Sequence, residues 1–298
     1  MILIMNYKLN VLKLFFKSFI FMIVFFNTLY AAKNTEILSE HPAYTSKNCS
    51  ACHTDNDGDS GKLIIQGDDL CFKCHVDIKQ KVKNSKNKHG AIEMGGCLGC
   101  HEPHNSVNMN LLKEEDSKTI CMTCHSSSLP RDEDGKMLMN MGEHLANNSN
   151  SHGPILWGDC AACHDPHGSN NLRMLKKPFP KKSSAGFSAD AYICFECHEP
   201  KKMTKRYTKE FTEFRNGDKN THFLHVNEKR ISCKVCHDYH ASKDIPHHLR
   251  EEGTFGSAKF PLKFLESPTG GSCNPICHTR RYYDRVEPVN VRTNKKLR

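Results

Sequence analysis

The sequence predicts a mainly irregular chain with short α-helices and little or no β-sheet, its core organised by something other than side chains. Three observations predict this. Hydrophobic residues make up 38% of the 298 positions, low for a chain of this length. Periodicity is weak, with glycine, proline, asparagine and serine scattered between short segments. All 16 cysteines fall into pairs, and each pair is followed at once by histidine.

In chain order the pairs are Cys49/Cys52 before His53, Cys71/Cys74 before His75, Cys97/Cys100 before His101 and Cys121/Cys124 before His125. Then come Cys160/Cys163 before His164, Cys194/Cys197 before His198, Cys233/Cys236 before His237 and Cys273/Cys277 before His278. Seven read C-x-x-C-H, and the last, Cys273-Asn274-Pro275-Ile276-Cys277-His278, is one residue longer. C-x-x-C-H is the attachment sequence of haem c: two thiols add to the porphyrin vinyl groups and the histidine ligates iron. A Cys₄ zinc site gives no reason for histidine after every second cysteine. A redox dithiol occurs once, within a βαβ pattern. The expectation is therefore eight covalent haems c, with the eight histidines above as proximal ligands. At the stretched motif a bulged loop reaching both vinyls competes with a single thioether or a disulfide that leaves His278 unattached. About 33 residues beyond the leader serve each haem, so porphyrin faces must supply much of the buried apolar area. Without haem the chain is expected not to fold.

Residues 1–32 have the anatomy of a secretory signal. Lys8, Lys13 and Lys17 precede the apolar run Phe19–Phe26, and Leu29-Tyr30-Ala31-Ala32 offers a small-residue cleavage site near 31/32. The run is shorter than the ~20 residues that span a bilayer. An uncleaved anchor with peripheral membrane attachment is the alternative, because Lys17 only interrupts a longer apolar stretch. Export to the periplasm agrees with haem attachment, which consumes thiols that an oxidising compartment turns into disulfides. Loss of the leader lysines and about −1 per oxidised haem bring the formal charge of +9 to about −2. No motif points to nucleic acid.

The motifs alternate in kind. Each odd motif has a histidine eight positions before its first cysteine: His41, His89, His152 and His225. Three odd motifs also carry one three positions after the proximal histidine (His104, His167 and His240), where the first has Asn56. Even motifs lack both, but Leu70, Ile120 and Ile193 precede their first cysteine. The linkers echo one another, as in Asn110-Leu-Leu-Lys113 and Asn171-Leu-Arg-Met-Leu-Lys176. The chain thus divides into two-haem units at 41–85, 89–130 and 152–200, a helix with the fourth unit at 200–285, and a basic tail at 286–298. The seven spare histidines at repeated offsets are expected distal ligands, since neutral imidazole binds iron strongly. Which one serves which iron stays open, within or between units. His144, His222, His247 and His248 remain, and one must serve if every iron takes two imidazoles; His222 comes first, His144 next. Met137-Leu-Met139-Asn-Met141 offers a thioether ligand or packing against porphyrin.

This arrangement resembles the multihaem c-type cytochromes with doubled C-x-x-C-H motifs. Their repeat is closest in His152-Gly-Pro154 through Cys163-His164-Asp165-Pro166-His167-Gly168, followed by Cys194-Phe-Glu-Cys197-His198. The resemblance runs from residue 41 to the region of Arg285. It extends to longer members with a stretched final motif through Phe214-Arg-Asn-Gly217, His225-Val226, Gly270-Gly-Ser-Cys273 and Tyr283-Asp-Arg285. It implies exported electron carriers with mostly bis-histidine haems, while Asn56 leaves one ligand of the first unit unassigned.

Three lesser signals complete the reading. Met203, Tyr207, Phe211 and Phe214 recur at helical spacing, predicting a helix over 200–215 ended by Asn216-Gly217. The run Asp55–Asp59 is followed by Ser60 and Gln66 where a calcium loop has its sixth-position glycine and twelfth-position glutamate, and it reads as a solvated acidic loop. The tail after Glu287 reads as disordered. The expected function is electron transfer between a membrane quinol dehydrogenase and a periplasmic or outer-membrane cytochrome, a terminal reductase or an outer-surface acceptor. The rival is a multihaem reductase or oxidase with one open iron acting on a small nitrogen or sulfur compound.

Overall fold

Side chains three and four residues apart share one face of a helical turn, and the regular motifs fold accordingly. Short 3₁₀ turns span Cys49–Ala51, Cys97–Gly99, Cys160–Ala162 and Cys233–Val235. In each, the histidine N–H donates to the carbonyl of the first cysteine at 2.8–3.1 Å. Among the even motifs, α-helix Asp68–Cys71 leads into the second, α-helix Ser117–His125 contains the fourth, and the sixth begins on the 3₁₀ turn Ile193–Glu196. The stretched motif belongs to neither group. Cys273 ends the strand Gly270–Cys273, and the loop through Cys277 makes no helix.

The structure, a computed structural model, describes residues 36–55, 61–130, 137–185, 187–188, 192–290, 293 and 295–296. The leader 1–32 and residues 56–60 of the acidic loop, Asn56 included, lie outside the described residues. Among the described residues no helix is long and apolar enough to cross a membrane.

Adjacent units are stitched by two-residue ladders. Ser39–Glu40 pairs antiparallel with Asn105–Ser106, and Asn150–Ser151 with Ala241–Ser242. A single bridge, Asn87 to Ser169, does the same between the second and third units. Each ladder joins the segment before the upstream histidine of one unit to the segment after the +3 histidine of the next. His41 N–H donates to His104 O at 2.8 Å, and His152 N–H to His240 O at 2.9 Å.

Three expectations need correction. Sheet is present: a hairpin of Glu252–Phe255 and Ala258–Pro261, then a three-stranded antiparallel sheet of Leu265–Ser267, Gly270–Cys273 and Arg281–Asp284. Strand-forming side chains in this stretch bury Phe260 and Leu262 on Val235, beside Ile231. The helix over 200–215 stops at Lys201–Thr204. Its threonines capture the backbone: Thr208 Oγ1 accepts from the Glu210 and Phe211 N–H groups, and Thr212 Oγ1 from that of Phe214. Such local bonds compete with the helix ladder. The tail is held at its start, where Asn216 bonds both the N–H and the carbonyl of Val289 and Val289–Asn290 pairs with Lys295–Lys296.

Side-chain core is scarce. The buried hydrophobic residues among those described are Ile155, Val226, Val235, Ala241, Phe260, Leu262 and Val289. A cavity of about 2970 Å³ occupies the interior from the fourth motif to the eighth, lined by cysteines and histidines of all five. That is several times the ~300–1,000 Å³ of a single-ligand pocket.

Candidate haem-binding sites

Seven of the eight proximal histidines face a second imidazole. Ring centres lie 6.1 Å apart for His53 and His104, 6.1 Å for His75 and His41, 6.1 Å for His101 and His167, and 6.2 Å for His125 and His89. They lie 6.4 Å apart for His164 and His240, 5.9 Å for His198 and His152, and 6.3 Å for His237 and His222. His278 is close enough to His225 to depress its pKa. An imidazole bound to a first-row metal at about 2 Å has its ring centre about 3.1 Å from the metal, so two on opposite sides of one iron stand about 6.2 Å apart. The donor set and its spacing fit a bis-histidine haem iron.

The pairs obey one rule. The histidine eight before an odd motif faces the proximal histidine of the even motif in its own unit. The +3 histidine faces the odd motif of the preceding unit. The ladders explain this, because each sets His41 beside His104, or His152 beside His240, above the two attachment sites of one unit. Both proximal histidines of the first unit are therefore faced without a histidine at position 56. The proximal histidine of the seventh motif, His237, is faced instead by His222. His222, which precedes the π-helical turn Phe223–Glu228, takes that place one turn from His225.

Hydrogen bonds fix which nitrogen faces inward. Nδ1 of His101, His164 and His237 donates to the carbonyls of Asn110, Arg173 and His247 at 3.0, 2.9 and 2.9 Å. His225 donates to Thr221 O at 2.8 Å and His278 to Thr279 O at 2.7 Å, while His222 Nδ1 is bonded to the Thr212 hydroxyl. A carbonyl only accepts, so Nδ1 carries the proton and Nε2 keeps its lone pair for a metal. Burial lowers the pKa of His89, His125, His152, His164, His198 and His237, and brings His222 to about 3 and His240 to about 4. The imidazoles are thus held in the neutral, ligating form.

The accepting carbonyls reveal a repeat that the sequence reading missed. Asn110-Leu111, Arg173-Met174 and His247-His248 are successive left-handed residues, with φ between 53° and 60°. Each pair is followed by a leucine that bridges back to the proximal histidine: Leu112 to His101, Leu175 to His164, Leu249 to His237. Pro246-His-His-Leu-Arg250 is therefore the third copy of the two linkers noted above. Its signal was the Leu-Arg ending, matching Leu112-Lys113 and Leu175-Lys176. His247 and His248 serve this turn, and His248 also stands 5.4 Å from His152. His144 faces no proximal histidine; it lies 6.2 Å from His240, with Nε2 3.8 Å from Asp238. Met137 and Met139 are exposed.

Cysteines of successive motifs meet in chain order. Within units, Cys52 neighbours Cys71 and Cys74, Cys100 neighbours Cys124, Cys163 neighbours Cys197, and Cys236 neighbours Cys273 and Cys277. Between units, Cys71 lies beside Cys97, Cys121 beside Cys160, and Cys194 near Cys233. The attachment sites form one unbranched series.

The family model for the doubled CXXCH motif matches residues 41–80, 89–129 and 152–203, the first three units. The multiheme cytochrome MtrA of Shewanella baltica (strain OS185) is 27% identical over 173 residues, 53% of this chain and 44% of that protein. The chain therefore spans less than half the length of that relative.

Proposed function

On the premise that this chain is a multihaem cytochrome with doubled CXXCH motifs, we propose that it carries eight haems c and conducts electrons along them. Haem c supplies reversible one-electron exchange at iron. Two imidazoles stand at seven of the attachment sites, which supports a row of haems from Cys49 to Cys277. Two strong-field imidazoles leave no position for a substrate, which favours a carrier over a catalyst. The facing of seven proximal histidines by a second imidazole carries this reading. The apolar run after Lys17 and the small-residue site at 31/32 support export to the periplasm, with a membrane quinol dehydrogenase as donor. Periplasmic or outer-membrane cytochromes, or a terminal reductase, are the acceptors.

The test is ligand binding by the purified, reduced protein. A haemochrome assay is expected to give eight haems per chain, with low-spin ferric EPR signals and no Soret shift on adding carbon monoxide. Carbon monoxide binding at one haem would move the protein to the rival class, a reductase with an open iron.

A further inference from the structure

Two carboxylates stand where one unit meets the next. Asp68, in the first turn of Asp68–Cys71, accepts the Cys97 N–H at 2.8 Å, where Cys71 and Cys97 meet. At the next junction Asp116 caps Ser117–His125 by accepting the Thr119 N–H at 2.6 Å. Its neighbour Ser117 accepts the Cys160 N–H at 2.8 Å, where Cys121 and Cys160 meet. The backbone makes room for both acids at Gly96 (φ 60°) and Gly158 (φ 76°), where a Cβ would overlap the carboxylate. The third junction is built differently: Tyr192 lies there, between Cys233 and Arg230.

We propose that Asp68 and Asp116 set reduction potentials, lowering those of the second and third haems and of the fourth and fifth relative to the pair at the third junction. A fixed negative charge at short range favours the oxidised iron, which carries one more positive charge than the reduced form. The conduit then has an uneven profile, with its low-potential haems at the first two junctions. This inference rests on the haem assignment above.

Asp68→Asn and Asp116→Asn keep an acceptor for the backbone N–H and remove the charge. In spectroelectrochemical titration of the purified holoprotein, each is expected to move the share of the absorbance change owed to two haems in eight to higher potential, with low-spin EPR unchanged. Ser117→Ala removes the Cys160 acceptor without changing charge and is expected to leave the titration in place. Tyr192→Asp makes the reciprocal change and is expected to lower two potentials at the third junction. Unshifted titrations in the asparagine variants with eight haems present, or an equal shift in Ser117→Ala, would overturn the proposal. A haem count far below eight would instead overturn the assignment beneath it.

Discussion

His104 shows how far a single residue's role can lie from its sequence neighbours. It follows Cys97/Cys100, yet its ring is 6.1 Å from His53 in the preceding unit. His104→Ala is therefore expected to open the iron attached at Cys49/Cys52 and to leave that at Cys97/Cys100 six-coordinate. Carbon monoxide binding at one haem in eight, located by variants of His53 and His101, checks it. Glycine at positions 96 and 158 is equally constrained, since both left-handed φ and an adjacent carboxylate exclude a side chain. Gly96→Ala is expected to cost about 1–3 kcal/mol of stability, read as a lower Tm at unchanged haem content. The attachment turns were legible because the spacing of their cysteines and histidine is local. The partner of each distal histidine was not, because it depends on ladders between segments about 60 or more residues apart in sequence, which no local pattern encodes.

Elements were legible where one turn does the work and illegible where side chains compete with the backbone. The attachment turns follow from i, i+3, i+4 spacing. The helix over 200–215 had the right apolar period but failed, because Thr208 and Thr212 offer the backbone other acceptors. Replacing both by alanine is expected to destabilise the fourth unit by about 1–3 kcal/mol, and to loosen His222, whose Nδ1 partner is the Thr212 hydroxyl. Thermal denaturation with EPR of the ferric protein measures both. The hairpin at 252–261 carried a signal that weak periodicity hid: Gly256-Ser257 between short apolar strands is a two-residue hairpin loop. The tail reads as disordered by composition, yet Asn216 reaches back to hold Val289.

For the molecule as a whole, composition was the better guide. So few buried hydrophobic residues cannot offset the conformational entropy of a chain this long. The chain made without haem attachment is expected to show no cooperative thermal transition by circular dichroism, whereas the holoprotein shows one. Mass spectrometry of the mature protein is expected to give the apoprotein mass plus eight haems. The unbranched order of the sites also came only with the structure, since proximity of Cys71 to Cys97, or of Cys121 to Cys160, is a property of the folded junctions.

The exchange of histidines between neighbours restricts how such a chain can grow or shrink. A block copied into the middle receives a ligand from its successor and donates one to its predecessor, so every metal stays saturated. A block placed before the first unit would need a donor histidine at position 56, and one placed after the fourth would leave His222 redundant. Insertion between existing units is therefore the change in length that keeps the supply of imidazoles balanced.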